Sequence, residues 1–274
     1  MEWLDLKGVK MPALGLGTWP LTGEACTRAV IGALELGYRH IDTAESYGNE
    51  AAIGAALAAA SVPRAELFLT TKLTRDHLGG SAVAPALAAS LERLRTDYVD
   101  LLLIHWPRPD IPLAETLSAM ASVQARGLVR RIGVSNFPAA LMRDAVEFAK
   151  VPIACNQVEY HVLLSQRLVL AYARQHGIAV TAYSPLIQGQ LTDHPVLGQI
   201  GSRHGKTPAQ VALRWLIQQQ GVAAVPKAAS PENQRRNLDI FDFALDGDDL
   251  ARLAALSGRK RLINPAWAPT WDPE

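Results

Sequence analysis

The sequence has little of what marks a secreted, nucleic-acid-binding or membrane protein. Cysteine is nearly absent: Cys26 and Cys155 are the only two, far apart and in no metal-binding spacing. They read as buried, reduced thiols, which predicts a cytoplasmic setting and no bound metal. Charge bias is missing as well, with 27 Lys and Arg against 26 Asp and Glu and a net charge of +1. So balanced a field attracts neither nucleic acid nor an anionic membrane surface, and neither is expected as a partner. The most alanine-rich stretch, AAIGAALAAASV at 51–62, falls short of the ~20 residues of a membrane helix. The opening MEWLDLKGVKMP lacks the basic and apolar regions of a signal peptide. No linker, repeat or low-complexity segment interrupts the chain, so residues 1–274 are expected to form one domain.

What the chain does have is alternation. LGLG, RHID, LFLTTK, YVDLLLIH, RIGVS, IACNQ, IAVTAYS and VAAVPK predict strands ending at Gly17, Asp42, Lys72, His105, Ser135, Gln157, Tyr183 and Lys227. Each is short, unbroken and apolar, as parallel strands covered on both faces must be. Helical patterns lie between them. EACTRAVIGALELG closes on Gly37, and AVAPALAASLERLRTD repeats its apolar residues every three to four positions. TPAQVALRWLIQQQG opens on Thr207 as N-cap and Pro208 at the first helical position. Eight such units predict an α/β fold, a closed (β/α)8 TIM barrel with an extra C-terminal helix and tail; such barrels typically take about 250 residues. From Gly258 the Pro- and Trp-rich tail reads as a fixed loop. An open dinucleotide-binding sheet would need G-x-G-x-x-G after its first strand. GLGTWP offers Pro20 where the third glycine belongs, which argues against it.

In such a barrel the active site lies at the C-terminal strand ends. Asp42, Lys72 and His105 are expected to end the second, third and fourth strands, with Tyr47 in the loop after the second. Strands about 4.8 Å apart bring these side chains together. Singly, each has a structural reading: a turn cap, a barrel-end ion pair, two packed rings. Together they read as an activated phenol. A tyrosine near pKa 10 exchanges protons poorly at neutral pH, and the Lys72 ammonium is expected to lower that value. Asp42 would hold Lys72, Tyr47 would protonate a carbonyl oxygen, and His105 would hydrogen-bond the same oxygen. These four supply no hydride.

The segments GLGTW (15–19), HIDTAESYGNE (40–50), TTKL (70–73), DLLLIHWP (100–107), GVSNF (133–137), NQVEYH (156–161), AYSPL (182–186) and VPKAASPENQRRN (225–237) resemble, in register, the aldo-keto reductase family. The tail RLINPAWAPTWD and LRTDYVDLLLIHWP look most like its bacterial 2,5-diketo-D-gluconate reductase B branch. The resemblance implies reduction of aldehydes and ketones by NADPH on a (β/α)8 barrel. It makes Tyr47 the general acid, tuned by Lys72 and Asp42, with His105 orienting the carbonyl. Ser135, Asn136 and Gln157 would hold the nicotinamide carboxamide, and Tyr183 would stack on the ring. Ser184, Pro185 and Leu186 would support the pyrophosphate. Lys227 would meet the 2′-phosphate, with Ser230 and Asn237 nearby. Thr18 and Trp19 lie on the first loop, and Trp19 with Trp106 would wall the substrate. Three residues depart from the family's pattern: Ala228 where a hydroxyl is common, Asn233 where an arginine is common, and Arg236 where a carboxylate often meets the adenine. A short lid after AYSPL and the tryptophan walls suit small carbonyls, α-dicarbonyls or keto sugars, and a monomer is expected.

Other functions fit less well. Lys72 as a Schiff-base lysine is disfavoured by Asp42, because a paired ammonium is a poor nucleophile. A glycosidase pair of Glu159 and Asp42 would leave Lys72 and His105 without roles. A non-catalytic nicotinamide-binding sensor or adaptor is the alternative, and the complete tetrad argues for catalysis.

Overall fold

The computed structural model describes residues 1–273. The eight apolar runs form one parallel sheet: β3 (Leu16–Gly17), β4 (His40–Asp42), β5 (Phe68–Leu73), β6 (Val99–Ile104), β7 (Val129–Ser135), β8 (Ile153–Glu159), β9 (Ala179–Tyr183) and β10 (Val222–Ala224). They follow an N-terminal hairpin of β1 (Trp3–Leu6) and β2 (Val9–Pro12). Each sheet strand pairs with its successor in sequence, the order expected when every crossover carries a helix. The sheet closes on itself where Leu14 bridges Ala224 and Gly17 bridges Lys227. Only glycine fits at that closure, since a Cβ on Gly17 would sit 2.4 Å from the Val225 carbonyl oxygen. The glycine of GLGTWP thus serves barrel closure, not a pyrophosphate turn.

The helices are α1 (Gly23–Glu35), α2 (Glu50–Ala59), α3 (Gly80–Leu94), α4 (Leu113–Ala125), α5 (Ala139–Phe148), α6 (Arg167–His176), α7 (Pro195–His204), α8 (Pro208–Ile217), α9 (Pro231–Leu238) and α10 (Gly247–Ala254). Their ends follow local chemistry. Thr207 and Gln210 form a reciprocal capping box at the start of α8, satisfying backbone donors that a helix start leaves orphaned. Past α1, Gly37 takes the left-handed turn (φ 100°) that stops the helix. Residues 259–273 of the tail form no helix.

Two elements go beyond the sequence reading. The hairpin turns at Lys7 and Gly8, both with positive φ, and it packs Leu6 and Met11 against Phe68, Leu101, Leu103 and Cys155 of the strands. That small cluster is separate from the larger one that includes buried helix faces. Burying a side chain of this size contributes ~1.5–3 kcal/mol. The helix α7, opened by Pro195 at its first position, is the second addition. Strand ends also move. Lys72 is penultimate in β5, His105 follows β6, Gln157 lies inside β8 and Lys227 lies beyond β10. Among the described residues, no helix is long and apolar enough to cross a membrane.

Candidate active site

A cleft of about 1340 Å³ opens along the C-terminal strand ends. Asp42, at the last position of β4, is buried and has both carboxylate oxygens occupied. Oδ1 accepts from Lys72 Nζ at 2.6 Å, and Oδ2 accepts from Gln157 Nε2 at 2.6 Å. The Lys72 ammonium also donates to the Thr43 carbonyl at 2.8 Å and to Tyr47 Oη at 3.3 Å. Tyr47 and His105 meet edge to face with ring centroids 5.5 Å apart. The tetrad predicted from four separate segments is therefore one contiguous set.

The electrostatics correct one expectation. Burial pushes the Tyr47 phenol above its ordinary value, and the nearby Lys72 charge only partly opposes this. Desolvation is the largest influence and outweighs the neighbouring charge that pointed to a lowered pKa. The phenol consequently keeps its proton at neutral pH. Burial works against the Lys72 ammonium, but Asp42 and Tyr47 together raise its pKa above the usual value. Burial, reinforced by Lys72, holds His105 down to about 3, so its imidazole is neutral. Its Nδ1 lies 3.2 Å from Ser46 Oγ. With Ser46 donating, Nε2 carries the ring proton and is a hydrogen-bond donor.

Beside the tetrad, Ser135, Asn136 and Gln157 are buried polar residues on the cleft wall. Ser135 Oγ donates to the Gln157 carbonyl at 2.8 Å. Asn136 Nδ2 donates to the His105 carbonyl and to Ser135 Oγ, while its Oδ1 accepts from the Tyr183 hydroxyl at 2.8 Å. These bonds hold the Tyr183 ring, which also lines the cleft. Ser184, Pro185 and Leu186 continue the wall, and Ser184 has a positive φ of 48°. At the far end stand Lys227, Asn233, Arg236 and Asn237. Lys227 is exposed and has no carboxylate partner among the described residues. Arg236 pairs with Glu232 at 2.6 Å. Ser230 is placed differently: it caps α9 by accepting from the Asn233 N–H and is not on the cleft wall. Ala228 is buried beneath this end. Thr18 and Trp19 line the cleft from the first loop.

Trp106 is buried behind the tetrad and receives two rings from the tail. Trp267 packs on it edge-on at 5.0 Å and Trp271 at 6.1 Å, and Trp267 lines the cleft. The sequence reading missed how this tail is tied down. Glu159 is fully buried; its Oε1 accepts from Leu262 N at 2.7 Å and its Oε2 from Ile263 N at 2.9 Å. Asp272 Oδ2 accepts from Ala139 N at 2.9 Å, at the start of α5. A strap anchored at both sides thus carries Trp267. The carboxylate weighed as a glycosidase partner is occupied by backbone donors. Asn49 was also missed: buried, it accepts from Thr43 Oγ1 at 2.6 Å and donates to Thr18 Oγ1 at 3.1 Å, tying the first two loops together. Only its place in the YGNE turn pointed to it.

This closed barrel with a Tyr–Lys–Asp–His mouth is the arrangement of a carbonyl-reducing oxidoreductase. The Aldo/keto reductase family profile matches residues 13–257, and the chain belongs to that family, whose enzymes use a nicotinamide cofactor. It is 43% identical over 96% of its length to the methylglyoxal reductase DkgB of Escherichia coli O157:H7, covering 99% of that protein. A crystal structure provisionally named 2,5-diketo-D-gluconic acid reductase B superposes with a TM-score of 0.98 at 45% identity, covering 100% of this chain and 98% of that one. The Bombyx mori aldo-keto reductase in complex with NADP superposes at 0.90 with 34% identity, covering 97% and 95%.

Proposed function

We propose that the protein reduces small aldehydes, ketones, α-dicarbonyls or keto sugars to alcohols with NADPH, using Tyr47 as the general acid. The observation that carries this reading is the Lys72 ammonium, 2.6 Å from Asp42 and 3.3 Å from the Tyr47 hydroxyl in the cleft. A phenol held protonated by burial is a proton source, and the fixed ammonium stabilises the phenolate left after transfer. The neutral His105 donates through Nε2 to the carbonyl oxygen and orients it. When bound, the nicotinamide supplies the hydride.

The cleft fits such a cofactor, because it runs from the tetrad to an exposed lysine beside the start of α9, where free N–H groups favour anions. Asn136 and Gln157 each keep a hydrogen-bonding position for the carboxamide, and Tyr183 offers a ring face. Lys227, Asn237 and Arg236 would serve the phosphate end, while Ser230 acts through the α9 cap. Two buried free thiols favour a reducing, cytoplasmic setting. We further infer one domain and a monomer.

The test is to mix protein, NADPH and methylglyoxal and to follow absorbance at the nicotinamide band. Steady oxidation that disappears in Tyr47→Phe is the expected result. Tight NADPH binding without turnover on any carbonyl would favour a sensor.

A further inference from the structure

We propose that Arg75 is an anion subsite at the carbonyl end of the cleft, selecting substrates that carry a carboxylate remote from the reacting carbonyl. The inference rests on the carbonyl-reductase reading above and adds a substrate class to it.

Arg75 lies three residues beyond Lys72, at the start of a short turn (Arg75–His77) after β5, and it lines the same cleft as Tyr47, His105, Trp106 and Trp267. Its guanidinium carbon sits 4.4 Å from the centre of the Trp267 ring. That ring in turn packs on Trp106, the residue next to His105. Stacking engages the face of a guanidinium and leaves its N–H groups, which lie in the plane, free to donate. None of them has an acceptor among the described residues, and the buried Nε is without a hydrogen-bond partner. The acids around it are engaged elsewhere. Asp76 and Asp110 both bind Arg108, at 3.2 and 2.9 Å. Glu45 binds His77 Nδ1 at 2.6 Å and the Thr74 N–H at 3.1 Å.

The buried Nε has no open surface to offer a ligand, whereas the two terminal Nη groups are unpaired and not fully buried, so they are the donors free to meet an anion in the cleft. A carboxylate matches the planar fork of a guanidinium with two parallel bonds, which a neutral ester or methyl group cannot form. Trp267 and Trp106 supply apolar walls for the carbon chain between the two ends. The alternative is a clamp: Arg75 stacks on Trp267 only to hold the tail. A clamp affects all substrates alike, whereas a subsite distinguishes charge.

The experiment compares 3- and 4-carboxybenzaldehyde with their methyl esters, in wild type, Arg75→Met and Arg75→Lys. Arg75→Met should raise KM for the better carboxylate about tenfold to a hundredfold, the range for one charge-assisted hydrogen bond. Its kcat should hardly change, and the esters should stay within about twofold. Arg75→Lys should recover part of the loss. Titration of the NADPH complex with terephthalate and its dimethyl ester, read by tryptophan fluorescence, should show the same charge-selective loss without turnover. Equal changes for acid and ester would assign the clamp and overturn the subsite, as would no change in Arg75→Met. If neither aldehyde is reduced but terephthalate binding still depends on Arg75, the carbonyl-reductase reading fails and the subsite stands.

Discussion

Gln157 donates through Nε2 to Asp42 Oδ2 at 2.6 Å, on the side of the carboxylate opposite Lys72. A residue expected to face the nicotinamide therefore also fixes the carboxylate that holds Lys72. Gln157→Met should damage both functions. Leaving a buried carboxylate oxygen unpaired costs roughly 1–3 kcal/mol, so the urea midpoint should fall along with turnover. Unchanged stability together with a pure loss of cofactor affinity would separate Gln157 from Asp42.

Tyr47→Phe removes the proposed proton donor and leaves the ring packed on His105. Carbonyl reduction should fall by about 10²–10⁴, the usual contribution of a general acid, while NADPH affinity stays nearly intact. Near wild-type turnover on the best carbonyl would refute the assignment.

Lys227→Ala should weaken NADPH by about ten- to a hundredfold and leave NADH nearly unaffected. Only the 2′-phosphate differs between the cofactors, and a hydrogen bond to a charged group is worth roughly 1.5–3 kcal/mol. Lys227 stands at the cleft rim with no acid beside it among the described residues. Of the two arginines that follow, Arg236 reaches the cleft and is shared with Glu232, which makes it the candidate helper for the missing family residues. Parallel losses for both cofactors in fluorescence titrations would remove Lys227 from the phosphate site.

Trp267→Ala tests the tail more cleanly than truncation after Arg259, which would also strip Glu159 of two buried hydrogen bonds. Losing one wall of the pocket should reorder kcat/KM among carbonyls of different size by about ten- to a hundredfold, the scale on which apolar pockets discriminate. NADPH affinity should not move. Constant relative rates would place the tail outside substrate choice.

Burial holds His105 down to about 3, and His40 is lowered for the same reason. In the unfolded chain both titrate near 6.5. Between those limits the unfolded state binds more protons, so stability rises with pH there and is lost on acidification from about 6.5 downward. Each group contributes at most about 1.4 kcal/mol per pH unit. Urea unfolding at pH 5, 6 and 7 should show a shallower slope for His105→Gln than for wild type. Equal slopes would mean that His105 titrates normally when folded.

Much of this molecule was legible because barrel strands are buried on both faces and announce themselves as unbroken apolar runs. LFLTTK and YVDLLLIH became β5 and β6 almost to the residue, and a shared position in each unit brought Lys72 and His105 together. The hairpin was missed although Lys7-Gly8 sits between alternating residues, a two-residue turn signal. The raised pKa of Tyr47 was invisible for another reason. A nearby charge can be inferred from sequence, whereas desolvation depends on how the whole mouth packs. Glu159 and Asp272 likewise show their purpose only once distant segments meet: 159 with 262–263, and 272 with 139. Nothing in local spacing carries such a tether.

The barrel closes through short strands. The strand β3 has two residues and β10 has three, and three backbone bonds cross the closure, from Ala224 N to the Ala13 carbonyl at 2.8 Å, Gly15 N to the Ala224 carbonyl at 2.9 Å and Gly17 N to the Pro226 carbonyl at 3.1 Å. This seam runs beneath the cleft: Thr18 stands on one lip and Lys227 on the other. A dinucleotide bound as proposed would touch both lips and so also act as a fastener, tying the first staves of the cylinder to the last. Breathing at the seam and an empty cleft then belong to one equilibrium. Amide exchange at Leu14–Thr18 and Val222–Lys227 becomes a gauge of cofactor occupancy, read in the backbone and not in the chemistry.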